Sequence, residues 1–217
     1  MVMNTLTVGE NIVNYIRGEI VSGGLKPGVK IKENDLAESL GVSNAPIREA
    51  LRFLQNEYLV IIIPRKGAFV TEISIEDCHQ IHEVRKIIEC SSIELLKGKN
   101  ITDIPCDTKS RSFIHRILPH YASKKMKNFV GLSDFHFNLV ESTGNNWLSD
   151  LYKSIASAIV RYQTIYYDPE LIGKFETEHN QILMLIQKRN YRDAKEAISH
   201  HIQSIFERVA NQMIKKM

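Results

Sequence analysis

Two sets of polar residues in this chain have the types and spacing to do chemistry. In the first, Asn44, Arg48, Arg52 and Gln55 recur at helical intervals beside an apolar stripe of Ile47, Ala50, Leu51 and Leu54. Two amides and two guanidinium groups on one helix face are the groups that hydrogen-bond to base edges and phosphates of duplex DNA. In the second set, His136, His179 and His201 are each bordered by apolar residues: Leu139 and Val140, Ile182 and Leu183, Ile198 and Ile202. Imidazoles that facing helices point into one core can hold a divalent metal, although a lone histidine in such a place is more often a hydrogen-bonded core residue. His79, His82, His115, His120 and His200 read as surface or core residues. Cys78, Cys90 and Cys106 are odd in number and form no CxxC pair, which suits reduced thiols in a cytoplasm.

The elements that must position the first set are legible. Asp35 to Leu54 reads as a short helix, a turn and a second helix. Leu36, Ala37 and Leu40 give the first helix an apolar face, and Gly41 stops it in a left-handed conformation. Ser43 is placed to start the second helix as its N-cap, and Pro46 falls in the first turn, where a missing N–H costs nothing. This is a helix-turn-helix, whose second helix enters the major groove. Upstream, Ile12, Val13, Ile16 and Ile20 predict a helix over Val8 to Val21, ended by Gly23-Gly24, before a turn at Lys26-Pro27-Gly28. Downstream, Leu59 to Ile63 is a β-branched run closed by Pro64, and Ala68 to Thr71 returns as a second strand. Three helices and a two-stranded ribbon predict a winged helix. The ribbon tip, Arg65-Lys66-Gly67, carries two cations and a glycine that permits close approach to a phosphate or minor groove.

At 217 residues the chain has room for one large or two modest domains. Its longest strongly apolar run is Leu59 to Ile63, so no membrane span is expected, and Met1 to Glu10 lacks the basic start and apolar stretch of a signal peptide. Residues 1–73 carry 8 Lys+Arg against 8 Asp+Glu. A DNA-binding domain of zero net charge has to concentrate its cations on one surface, and Lys26, Lys30, Lys32, Arg48, Arg52, Arg65 and Lys66 are available for that. Ser74-x-x-Asp77 then caps a new helix, and the remainder reads as helices throughout: Ile75 to Leu96, Lys109 to Tyr121, Met126 to Thr143, Trp147 to Tyr167, Glu170 to Lys188 and Tyr191 to Lys216. Asn100 to Asp107 is loop-like. The expected fold is mostly α: a winged helix-turn-helix over residues 1–73 and an all-α helical bundle over 74–217.

Leu36-Ala37-x-x-Leu40-Gly41-Val42-Ser43-x-x-Pro46-Ile47-Arg48-Glu49-Ala50-Leu51, followed by Pro64-Arg65-Lys66-Gly67-Ala68-Phe69-Val70, resembles the GntR family of bacterial transcriptional regulators across residues 5–73. The resemblance implies DNA contacts from Ser43, Asn44, Arg48, Arg52, Lys66 and Gly67. The family's usual text after the serine is Arg-Thr-Pro, whereas this chain has Asn44-Ala45-Pro46. Arginine at a helix N-terminus pairs with guanine and asparagine with adenine, so the operator is expected to depart from the common half-site where Asn44 faces it.

Arg85-x-x-Ile88-Glu89, Phe135-His136 with Thr143-Gly144-Asn145, and Glu178-His179 with His201 resemble the FCD effector domain of the FadR/VanR branch. That resemblance makes His136, His179 and His201 metal ligands. The family's fourth ligand is an aspartate one turn before the histidine matched by His136, where this chain has Leu132; Asp134 falls on another side of that helix. Three neutral imidazoles without the carboxylate favour Zn²⁺ or Ni²⁺ over Mn²⁺. Above the metal, the resemblance implies a pocket for a small organic acid, with Arg85 either holding its carboxylate or pairing with Glu89 one turn away. The expected protein is a cytoplasmic, metabolite-responsive repressor, not an enzyme, bound as a homodimer to a palindromic duplex operator. The alternatives are a DNA-binding protein whose helical domain is a metal-free dimerisation block, and a metal-dependent hydrolase, for which the sequence places no carboxylate as general base and leaves the winged helix without a job.

Overall fold

The computed structural model describes residues 6–99, 135–166 and 172–216. Helix α1 (Val8–Ser22) opens on a capping box that the sequence reading missed. Thr7 Oγ1 accepts from the Glu10 N–H at 3.2 Å, and the Glu10 carboxylate accepts from the Thr7 N–H at 2.7 Å. Its buried face is Ile12, Ile16, Ile20 and Val21. Helices α2 (Glu33–Leu40) and α3 (Asn44–Asn56) form the helix-turn-helix. Gly41 sits between them at φ 65°, a left-handed conformation that glycine adopts without a Cβ clash. Ser43 has the extended backbone of an N-cap, but its hydroxyl makes no capping bond. Ile47, Ala50, Leu51 and Leu54 of α3 turn inward as expected. Arg17 of α1 forks onto the Glu57 carboxylate at 2.6 and 2.8 Å, a buried pair that ties α1 to the end of α3.

The wing differs from the expectation in one respect. It has three strands, not two: β1 (Lys30–Ile31), β2 (Val60–Ile63) and β3 (Gly67–Val70), antiparallel in the order β1-β3-β2. Lys30 faces Phe69 and Ile31 faces Ala68. The turn before β1, with Gly28 at φ 74°, returns the chain so that Gly28 N–H donates to Val70 O. Two residues are too few to show an alternating pattern, so β1 left no trace in the sequence. At the wing tip, Arg65 (φ 62°) and Gly67 (φ 104°) reverse the chain around Lys66.

Ser74 caps α4 (Ile75–Leu95) by accepting from the Asp77 N–H. Helix α5 is described over 135–141; α6 (Asn146–Ile165), α7 (Ile172–Gln187) and α8 (Tyr191–Lys216) follow. Helix α4 packs on α6 and α8, and α7 packs on α8, so the buried faces of these helices meet in one helical body. Helix α6 also packs on α1, and its Ala158 and Val160 extend the apolar core of the winged helix. The expected loop at 100–107, the expected helix at 109–121 and the first part of that at 126–143 lie outside the described residues, as do Cys106, His115, His120, Leu132 and Asp134. Among the described residues no helix is long and apolar enough to cross a membrane.

Candidate functional site

Helices α5, α7 and α8 bring the three histidines together. His136, His179 and His201 are all buried, and their Nε2 atoms form a triangle with sides of 3.0, 3.1 and 3.3 Å. The outer nitrogens fix what this triangle contains. His136 Nδ1 lies 2.6 Å from the Glu89 carboxylate, and His201 Nδ1 lies 2.6 Å from the Glu178 carboxylate. An ionised carboxylate only accepts, so each of those Nδ1 atoms carries the proton and each Nε2 presents a lone pair to the centre. Burial, followed by the Arg85 guanidinium, pushes the His136 imidazole well below its ordinary value. Burial and the two neighbouring histidines do the same to His179, and burial lowers His201. Neutral imidazoles aimed at one point repel unless a cation lies between them. With Zn–N bonds of about 2.0–2.1 Å in tetrahedral geometry, neighbouring nitrogens stand about 3.3 Å apart, close to the observed spacing. The triad can therefore hold a metal ion, and imidazole donors select a borderline transition metal over calcium or magnesium.

Glu89 is the hub behind the triad. It is fully buried, and its Oε1 accepts from Arg85 Nε at 2.7 Å and from the Tyr152 hydroxyl at 3.1 Å, while Oε2 holds His136. Arg85, which the sequence reading offered either to an effector or to Glu89, is paired with Glu89 through Nε. Its Nη1 is buried and without a hydrogen-bond partner among the described residues. Beside it lies a cavity of about 10 Å³, lined in part by Arg85, His136, Tyr152 and Gln163. That is room for one water or one carboxylate oxygen. A larger cleft of about 590 Å³ lies between α1, α3 and the helical body, among Val13, Arg17, Phe53, Glu141 and Lys153. Among the described residues the cluster of metal-ligand type lies beside the smaller space.

On α3, Arg48 projects with its side chain 65% exposed and Nε on the Glu33 carboxylate at 2.7 Å. Asn44 Nδ2 donates to Asn34 Oδ1 at 2.9 Å. Both α3 side chains are thus held by adjacent residues in the first turn of α2. Ser43, Arg52 and Lys66 are exposed, and Gly67 is half-buried at the start of β3.

Comparison with known proteins gives this arrangement its family. The model for bacterial regulatory proteins of the gntR family matches residues 8–70, and the FCD domain model matches residues 80–204, more than half of the chain. The chain belongs to the GntR family, with a C-terminal FCD domain. It is similar to an uncharacterised HTH-type transcriptional regulator, YdhC, of Bacillus subtilis (28% identical, covering 87% of this chain and 84% of that one). It is also similar to the HTH-type transcriptional repressor RspR of Escherichia coli (26% identical, covering 94% and 90%). Among solved structures, a putative GntR transcriptional regulator from Rhodococcus sp. RHA1 shares the fold, with a TM-score of 0.72 at 18% identity over 93% of this chain and 96% of that one. As a GntR-family transcriptional regulator the chain binds DNA, and it is not an enzyme.

Several polar partners in this GntR-family protein escaped the sequence reading. In the sequence Glu89 is legible as part of the FCD motif and as a possible mate of Arg85, Glu178 only as part of that motif, and Tyr152 in no motif. Each acts on a histidine or carboxylate tens of residues away, and no periodicity reports such a pairing. No local signal marks these pairings, since an Arg and a Glu one turn apart on a helix read equally as a solvated surface pair.

Proposed function

We propose that this regulator is a homodimeric repressor, divided at about residue 73, that reads a palindromic operator and senses a small organic acid in its helical domain. The observation that carries the sensing half is the orphaned Arg85 Nη1. A buried guanidinium N–H without an acceptor among the described residues, beside a space the size of one oxygen and next to His136, would meet one oxygen of a carboxylate. His136, His179 and His201 would hold the divalent ion, zinc or nickel by donor type, and the ion's open positions would favour the same anionic ligand. Glu89 and Glu178 orient the imidazoles, and Tyr152 holds Glu89. Support for a dimer comes from α4, which is apolar on two sides. Ile88 and Ile93 face the core, whereas Val84, Ile87 and Leu95 are exposed at 40%, 66% and 44%. A second copy would cover that face.

In the DNA-binding half, Arg48 would contact base edges, Asn44 and Arg52 would flank it, and Ser43 with the first N–H groups of α3 would hold phosphate. The Ser43 hydroxyl, unused as a cap, is available for that. Lys66 and Gly67 would meet the backbone or minor groove from the wing tip. Arg48→Ala is expected to cost about 1–3 kcal/mol of specific binding. Fluorescence anisotropy on the selected operator against competitor DNA checks this, and equal loss on both would reassign Arg48 to phosphate. Asn44 is expected to give an operator that departs from the family's guanine at the base pair it faces, once its bond to Asn34 is released or shared. Selection from random duplex DNA tests this; recovery of guanine there would refute it. The sensing half is tested by releasing the selected operator with a panel of small carboxylic acids. Release by an acid, lost in Arg85→Met, supports the reading, and no release by any member opposes it.

A further inference from the structure

We propose that Arg161 is the positioning residue that fixes the winged helix on the helical body, and so sets the spacing at which a dimer meets its two half-sites. The inference rests on the dimeric DNA-binding reading above and adds the contact that gives the dimer a defined reach.

Arg161 lies on α6 and is 2% exposed. Its Nη1 donates to Thr71 Oγ1 at 2.7 Å and its Nη2 donates to Thr71 O at 2.8 Å. Thr71 follows the last wing strand, and it is bound to the start of the wing as well. Its hydroxyl donates to Tyr58 O at 2.9 Å, and its N–H donates to Leu59 O at 3.1 Å. One guanidinium therefore grips the point where both ends of the wing hairpin meet. It is a costly grip. No carboxylate pairs with Arg161 among the described residues, and its Nε has no partner there. Ser157 Oγ and Thr164 Oγ1, one turn on either side along the same helix, are also shielded and without a partner among the described residues. Unpaired buried polar atoms oppose contact along this stripe, so the fork onto Thr71 is the directional contact that orients the apolar packing of Ala158 and Val160.

The same helix reaches the metal-holding triad. Tyr152, nine residues earlier and about 13 Å along the axis, donates to Glu89, which holds His136. Ala158 and Val160 between them sit in the core of the winged helix. A change at Glu89 that shifts or turns α6 would thus move Arg161 and the DNA-binding unit with it. An arginine is suited to this because its planar fork meets two acceptors in one fixed direction, which a lysine ammonium does not.

The test is selection of random duplexes by the full-length chain, by Arg161→Lys and by Thr71→Val. The two variants keep, respectively, the charge and the shape at the contact while breaking the fork from opposite sides. The wild type is expected to return two half-sites at one spacing. Both variants are expected to return the same half-site with spacings spread over several base pairs. They should bind the wild-type palindrome about tenfold more weakly, the loss expected from a charged hydrogen bond, with unchanged affinity for a single half-site. A merely structural role would lower both affinities together. Retention of the wild-type spacing by both variants would overturn the proposal, as would a wild type that binds one half-site as tightly as two. Failure of the wild type to select any duplex would instead refute the DNA-binding reading beneath it.

Discussion

Glu89→Ala is expected to destabilise the folded chain by about 3–5 kcal/mol, the cost of stranding one member of a buried ion pair. Glu89 is fully buried and satisfies Arg85, Tyr152 and His136 at once. Its removal leaves a guanidinium that cannot lose its proton and cannot reach water. The adjoining cavity admits at most one water, so solvent offers little relief. Urea unfolding followed by circular dichroism measures the change, and Glu89→Gln separates its parts. The amide still accepts from Arg85 Nε and Tyr152 but presents no net charge, so its loss should be smaller than that of alanine. Either variant should also weaken metal binding by about 10–100-fold, because His136 loses the carboxylate that fixes its tautomer. An alanine variant that unfolds at the wild-type midpoint would show that Glu89 is not the hub described above.

The second large effect is the response to metal. An ion that binds the folded triad and not the unfolded chain stabilises by about 4 kcal/mol at a thousandfold excess over its dissociation constant. Zinc added to chelator-stripped protein is therefore expected to raise the unfolding midpoint strongly. The triangle of lone pairs is the reason: without a cation, three buried nitrogens 3.0–3.3 Å apart have too few protons to share. His136→Ala should abolish the zinc response and also relieve part of that repulsion, so the stripped variant should lose less stability than an ordinary buried-residue truncation. A zinc-induced shift that survives His136→Ala would place the ion elsewhere.

Legibility differed between the two halves for a physical reason. The helix-turn-helix is built from neighbours in sequence. The inward stripe of α3, the Gly41 stop and the cationic wing tip all follow from local spacing, and the structure has each where the sequence places it. The strand that was missed, β1, is two residues long and exists only because β3 pairs with it. In the helical domain the elements were legible and their pairings were not. Three histidines on three helices have apolar flanks, but it is the resemblance to the FCD domain that singles them out among the eight. That their Nε2 atoms meet, that two carboxylates stand behind them, and that Arg85 is buried with Glu89 rather than solvated depends on how helices pack across long separations. Arg161 illustrates the limit: in sequence it is one more cation on an amphipathic helix, and its partner Thr71 lies 90 residues away at the base of the wing.

The centre on which this account depends is measured most directly by metal analysis of protein purified without a histidine tag, wild type beside His136→Ala. The account predicts close to one zinc or nickel ion per wild-type chain and almost none in the variant. Equal metal in the two proteins, or none in a wild type offered zinc, would contradict it.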